Sequence, residues 1–231
     1  MSEIILDARM KCIAECVPVG AVLADIGTDH GKLPVYLGQK GIIKKAVAAD
    51  INEMPLQKAV NNIKIHGLEA VIDTYLTDGL KGIEAFSPDC VVIAGMGGEL
   101  IEQILECATI DKDSVSFIFQ PMTKEETLRK YLCENGYNIY DEHIVREGKI
   151  YQIICAVFDG EKRTMTEAEY YLGHINIEKN SPLLSDLIDK VIKRINVRTE
   201  GKSMAGLDTA EETGLLKQIL AIKEKCYGDG K

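Results

Sequence analysis

Between residues 21 and 122, five short apolar runs alternate with stretches of helical periodicity. That alternation constrains the fold more than any other feature of the chain. The runs are 21–27, 45–50, 71–78, 90–97 and 116–122; helical patterns lie near 33–40, 55–66, 98–107 and 124–135, and residues 4–17 predict a further helix ahead of the first run. Strands separated by helices are joined by right-handed crossovers and pair in parallel. The run Cys90-Val91-Val92-Ile93-Ala94 is apolar without a break, as a strand covered on both faces must be. Then the pattern changes. Runs 138–145 and 151–158 are strand-like and joined by Arg146-Glu147-Gly148-Lys149, a link that allows only an antiparallel hairpin. The expectation is an α/β fold with a Rossmann-like sheet of seven strands, the last antiparallel to its neighbour.

Residues 161–231 lack strand runs. Leu183, Leu184, Leu187, Ile188, Val191, Ile192 and Ile195 follow helical spacing, and Leu215, Leu216, Ile219, Leu220 and Ile222 form a second stripe. Gly201-Lys202-Ser203-Met204-Ala205-Gly206 is expected to break the helix between them. The chain therefore divides into a sheet domain, 1–160, and a small helical, coiled-coil-like hairpin, 161–231.

Charge follows the same division. Residues 1–160 hold 15 Lys/Arg against 24 Asp/Glu and carry the whole net charge of −9, while the tail holds 12 of each. An acidic sheet domain offers no general surface for nucleic acid. A positive surface must come from local clustering, and Lys190, Lys193, Arg194, Arg198 and Lys202 at helical spacing are the candidate RNA contacts. Tyr170 and Tyr171 are read as packing the tail against the sheet domain in preference to stacking on bases. Seven cysteines with no C-x-x-C pair indicate reduced thiols and a cytoplasmic protein. The four histidines form no metal-ligand spacing, so no metal is expected. No stretch approaches the ~20 apolar residues of a membrane helix.

The first run delivers Asp25-Ile26-Gly27-Thr28-Asp29-His30-Gly31, a Gly-bearing turn that opens a helix. This is how open α/β folds hold nucleotide-like ligands. Dinucleotide turns seat pyrophosphate on bare backbone N–H groups. A carboxylate at Asp29 repels pyrophosphate and suits a cationic ligand such as S-adenosylmethionine (SAM). Asp50, at the end of the second run, is placed to accept from ribose hydroxyls. Asp78, at the end of the third, is placed to accept from an adenine amino group. Gly95-Met96-Gly97-Gly98 closes the fourth run and lets backbone approach a ligand closely. Gln120, held extended by Pro121, is a candidate contact for a substrate base.

Asp25 to Leu37 (DIGTDHGKLPVYL), Ala48 to Asn52 (AADIN), Thr77 to Leu80 (TDGL), Ile93 to Ile101 (IAGMGGELI) and Gln120-Pro121-Met122, in that order, resemble the bacterial tRNA (adenine-22, N1)-methyltransferases. The similarity includes the first helix, with Leu6, Arg9, Met10, Ile13 and Ala14, and spans essentially the whole chain. It implies a class I SAM-dependent fold with a coiled-coil-like tail, and methylation of a tRNA D-loop adenine at N1. By resemblance, Asp25, Gly27, Asp29 and Gly31 line the methionine end of SAM, with Thr28 and His30 of the same motif. Asp50 and its neighbour Ile51 hold the ribose, Asp78 and Gly79 meet the adenine, Gly95, Met96 and Gly97 border the site, and Arg9 lies near the pocket. Asp29 and Gln120 are the catalytic candidates. Some relatives carry Asn where this chain has Met122. The expected partner is tRNA, without metal or membrane, for a monomer or weak homodimer. The competing readings are a non-catalytic SAM- or nucleotide-binding module with a protein-interaction tail, and more weakly an NAD-dependent oxidoreductase. Adenine N1 has an available lone pair, so methyl transfer needs in-line placement more than a base.

Overall fold

The computed structural model describes residues 4–228. Strands β1 (Ala21–Ile26), β2 (Ile43–Asp50), β3 (Ile72–Leu76), β4 (Cys90–Gly97), β5 (Ser116–Thr123), β6 (Tyr137–Glu147) and β7 (Lys149–Phe158) form one sheet in the order β3-β2-β1-β4-β5-β7-β6. The first five are parallel, and β7 runs antiparallel to both β5 and β6. The expected seven strands are present, with the last in sequence inserted between β5 and the edge strand β6.

Alternate residues of the central strands feed two cores. Ala24, Ile26, Val91 and Ile93 face one side, beneath α4 (Gly98–Glu106) and α5 (Glu125–Glu134). Leu23, Ala48, Cys90 and Val92 face the other, beneath α1 (Ala8–Cys16), α2 (Lys32–Gln39) and α3 (Glu53–Ile65). Burial on both faces accounts for the uninterrupted apolar run of β4. Asp7 starts α1 by accepting from the Met10 N–H at 2.7 Å, a side-chain cap on an otherwise orphaned donor.

One local expectation changes. β3 ends at Leu76, so Asp78 lies in the turn that follows and not at the strand end. The break expected over 201–206 falls within that segment: α8 (Leu184–Met204) runs through Gly201, and the chain turns at Gly206, whose φ is +69°. A single helical glycine costs only about 1 kcal/mol, and a long helix carries that cost.

The tail adds α6 (Glu167–Leu172) and α7 (His174–Glu178) before the α8–α9 hairpin, α9 being Ala210–Tyr227. Its apolar cluster joins Tyr171, Leu172, Leu187, Ile188 and Ile219 to Ile150 of β7. Tyr170 and Tyr171 are both buried, in keeping with packing and unavailable to bases. Arg129 of α5, wholly buried, ties tail to sheet. It donates to Glu142 of β6 at 2.6 Å, to Gln152 of β7 at 2.8 Å and to the Tyr170 carbonyl of α6 at 2.8 Å. A guanidinium out of water needs such complete pairing.

Candidate active site

After β1 the chain builds β2 and β3 on one side and then returns to place β4 on the other. The carboxyl ends of β1 and β4 therefore diverge at the switch point, where open α/β sheets form their ligand crevice. A cleft of about 500 Å³ lies there, within the usual range for small-ligand sites. Of the candidate site residues, Arg9, Asp25, Gly27, Asp29 and Gly95 line it, joined by Lys32 and Met122.

The turn after β1 is pinned to β2. The N–H groups of Gly27 and Thr28 both donate to the Ala49 carbonyl, at 2.8 and 2.9 Å. This sets Asp25 and Asp50 on neighbouring strand ends. Asp25 is buried and accepts from the Thr28 hydroxyl at 2.6 Å. Burial pushes its carboxyl up to about 6; the Thr28 bond opposes that, and the charges of Asp50 and Asp29 add to it. Gly27 has φ +74°, and a Cβ there would stand 2.2 Å from Met96 Cε. The motifs at 25–31 and 95–98 thus interlock, with Met96 filling the space that the glycine leaves.

Asp29 does not cap α2. The residue before that helix is Gly31, and no side chain caps it. The Asp29 carboxylate stays largely exposed, 3.3 Å from His30 Nε2. Asp50 uses one oxygen to accept from the Asn52 N–H at 2.8 Å, and its second has no hydrogen-bond partner among the described residues. Ile51 is exposed beside it. Asp78 pairs with Lys81 at 2.8 Å in solvent, and Gly79 packs on Ile104. These four lie beyond the cleft wall, following the outer strands β2 and β3. Gly95, at φ +80°, has open space where a Cβ would sit, so its backbone is accessible. Gly97 closes β4.

Gln120 is not a free rim side chain. It is fully buried; its carbonyl oxygen accepts from Arg9 at 2.5 Å and its amide donates to the Pro121 carbonyl at 2.8 Å. It anchors Arg9, whose guanidinium also lies over the Tyr151 ring, 5.8 Å from its centroid. A helix ahead of the sheet thereby delivers a fixed cation to the cleft.

The tail cations are mostly engaged. Lys190 and Arg194 pair with Glu125, at 3.4 and 3.2 Å, and Arg194 also with Glu126. Arg198 and Lys202 pair with Glu212, at 2.9 and 2.8 Å. Lys193 is exposed and has no ion-pair partner among the described residues.

Sequence reasoning did not single out Lys32, Tyr151 or Arg129. Lys32 directly follows the Gly31 turn, so its position was readable. Tyr151 and Arg129 carry no local signal, since only the folded sheet brings them to their partners.

A switch-point cleft walled by carboxylates, on a parallel sheet closed by an antiparallel hairpin, defines a class I methyltransferase. A family model described as a methyltransferase domain matches residues 6–154. The tRNA (adenine(22)-N(1))-methyltransferase of Bacillus subtilis is 37% identical over 161 residues, 68% of this chain and 66% of that protein. The crystal structure of the B. subtilis m1A22 tRNA methyltransferase superposes with a TM-score of 0.79 at 29% identity, covering 98% of this chain and 99% of that one. That of M. capricolum TrmK in complex with S-adenosyl-homocysteine gives 0.76 at 25% identity, over 96% and 97%. The chain belongs to the tRNA (adenine(22)-N(1))-methyltransferase family. Among the described residues no helix is long and apolar enough to cross a membrane.

Proposed function

We propose that this protein methylates N1 of adenine 22 in the tRNA D-loop, using SAM, in the cytoplasm. The observation that carries the reading is the acidic switch-point cleft, lined by buried Asp25 and exposed Asp29, with half-free Asp50 on the neighbouring strand end just beyond its wall. SAM supplies the methyl group when bound. The residues present suit it. The Asp25–Thr28 pair and Asp29 provide negative potential for its ammonium and sulfonium charges, and the uncommitted Asp50 oxygen accepts from ribose hydroxyls. Arg9 and Lys32 offer positive charge to its carboxylate, and Gly95 leaves room for close approach. Asp78 and Gly79 meet the adenine ring, with Thr28, His30, Gly31, Ile51, Met96 and Gly97 shaping the surrounding wall.

The adenine N1 lone pair needs no base to free it. The target base becomes cationic as it is methylated, and the Asp29 carboxylate stabilises that charge. Gln120 positions Arg9 and does not touch the base. The target adenine must leave its stack to enter the cleft. On the tail, phosphate contact falls first to Lys193, whose charge is unspent. Lys190, Arg194, Arg198 and Lys202 contribute only so far as phosphate displaces their carboxylate partners.

The test is incubation of the purified protein with SAM and total tRNA, followed by nucleoside mass spectrometry and mapping of the modified position. 1-Methyladenosine at position 22 is expected. SAM binding without transfer to any tRNA would overturn the proposal in favour of a non-catalytic binding module.

A further inference from the structure

Away from the cleft, α1 lies against the β6–β7 hairpin. A register shift in that hairpin between Ile139 and Asp141 leaves Tyr140 unpaired and sets Asp141 opposite Cys155. Side chains alternate across a sheet, so Asp141, His143 and Cys155 share the face that α1 covers. Cys12 and Cys16 are four residues apart on α1, a spacing that puts both on one side of a helix. The result is a convergence with no counterpart in the local sequence. The ligand atoms of Cys16, His143 and Cys155 all lie within 4.8 Å of one another. A cavity of about 250 Å³ opens onto them and is also lined by Cys12, Glu15 and Asp141. None of these cysteines is in a disulfide.

The surroundings of His143 extend the pattern. Its Nε2 stands 3.6 Å from an Asp141 carboxylate oxygen, and the other oxygen of Asp141 is held by Lys179. A carboxylate that orients an imidazole is the usual outer shell of a metal-bound histidine. Thiols with an imidazole are soft ligands that suit a tetrahedral zinc-type ion and not magnesium or calcium. Around such an ion the ligand atoms stand roughly 3.5 Å apart, given bonds of about 2.0–2.3 Å. The observed set is wider than this, so binding draws the side chains together by about 1 Å.

We propose that Cys16, His143 and Cys155 bind one zinc-type ion that clamps α1 to the β6–β7 hairpin, with Cys12, which lines the same cavity outside the three-atom set, turning in as the fourth ligand. The expectation of no metal rested on spacing along the chain, and this site is assembled from three separate elements. Each thiol gives its proton to the solvent as the ion binds. Arg9 lies one turn before Cys12 on the same helix, so the clamp also steadies the cation delivered to the cleft.

The experiment uses the full-length protein, stripped with chelator under reducing conditions and titrated with Co²⁺ alone, then Zn²⁺ alone. One equivalent of Co²⁺ should produce a thiolate-to-cobalt charge-transfer band that Zn²⁺ abolishes, and Zn²⁺ should raise Tm. His143→Ala alters a partly exposed side chain and leaves the fold intact by circular dichroism; it should weaken Co²⁺ binding at least tenfold. Cys155→Ser should lose the band, while Cys107→Ser, a change at an exposed cysteine elsewhere, should keep it. No charge-transfer band in the wild-type protein would overturn the proposal. So would wild-type affinity in both His143→Ala and Cys155→Ser, or air oxidation to a Cys16–Cys155 disulfide in a protein that takes up no metal. None of these readouts depends on methyl transfer, so failure here leaves the proposed reaction untouched.

Discussion

Replacing Asp25 by Asn should make the protein more stable and a weaker binder of SAM at the same time. The carboxyl of Asp25 is shut away from water, with one hydroxyl bond from Thr28 and two further carboxylates nearby, and its pKa rises from 3.8 to about 6. That displacement corresponds to roughly 3 kcal/mol of unfavourable interaction for the ionised form. Because the folded value lies above the unfolded one, the folded state keeps a proton that the unfolded chain has released. Stability therefore falls as pH rises from about 4 to about 6, and stays lower above that. Asn keeps an acceptor for Thr28 without the charge. In urea denaturation at pH 8 the variant should gain up to ~3 kcal/mol over wild type, and the gain should shrink to roughly 0.5 kcal/mol at pH 4, where the folded Asp25 is protonated and the unfolded one only partly ionised. In calorimetry at pH 8 the same variant should lose roughly 1.5–3 kcal/mol of SAM affinity, the worth of a charge-assisted bond. A variant that is destabilised equally at both pH values would refute the buried-charge argument. Unchanged SAM affinity would remove Asp25 from the binding wall.

Asp29→Asn should lower kcat on tRNA by on the order of tenfold while changing tRNA affinity little; full kcat in single-turnover assays would show that its charge is not used. Arg129→Met leaves Glu142 buried without its partner and should cost ~3–5 kcal/mol in denaturant, part of which Glu142→Gln should restore. Gly98→Ala puts a Cβ 2.2 Å from the backbone oxygen of Lys124, which cannot swing aside as a side chain can. Thermal unfolding should show a loss of roughly 1–3 kcal/mol. Lys193→Glu should weaken tRNA binding and flatten its salt dependence more than Lys190→Glu does, because Lys190 already faces Glu125. Filter binding at several salt concentrations compares the two.

Much of this protein was legible because its signals are local. A strand covered on both faces must be apolar throughout, and a strand ending at a ligand must stop in small or acidic residues. So 90–94 and 25–31 announced both the sheet and the turn from a few adjacent residues. The hairpin at 146–149 was readable for the same reason: a short link leaves the chain only one way to go. The helical stripes of the tail fixed α8 and α9, and the Gly-bearing segment 201–206 fixed the turn between them, although the helix runs through Gly201 before stopping at Met204. The end of β3 was misplaced at Asp78, because pairing with β2, not local composition, sets a strand's length.

What the tertiary structure alone decided concerns residues whose partners are far along the chain. Gln120 has the sequence of a rim residue, yet Arg9, 111 positions away, claims its carbonyl. The basic run 190–202 has the composition of an RNA surface, yet Glu125, Glu126 and Glu212 take up most of its charge. Cys16, His143 and Cys155 show no motif, and become a cluster only when a bulge in β6 turns two strands toward α1. Periodicity and turn chemistry act over a few residues and are written in the chain. Ion pairing, burial and convergence depend on which surfaces the sheet order brings together, and that order is settled only when the whole core packs.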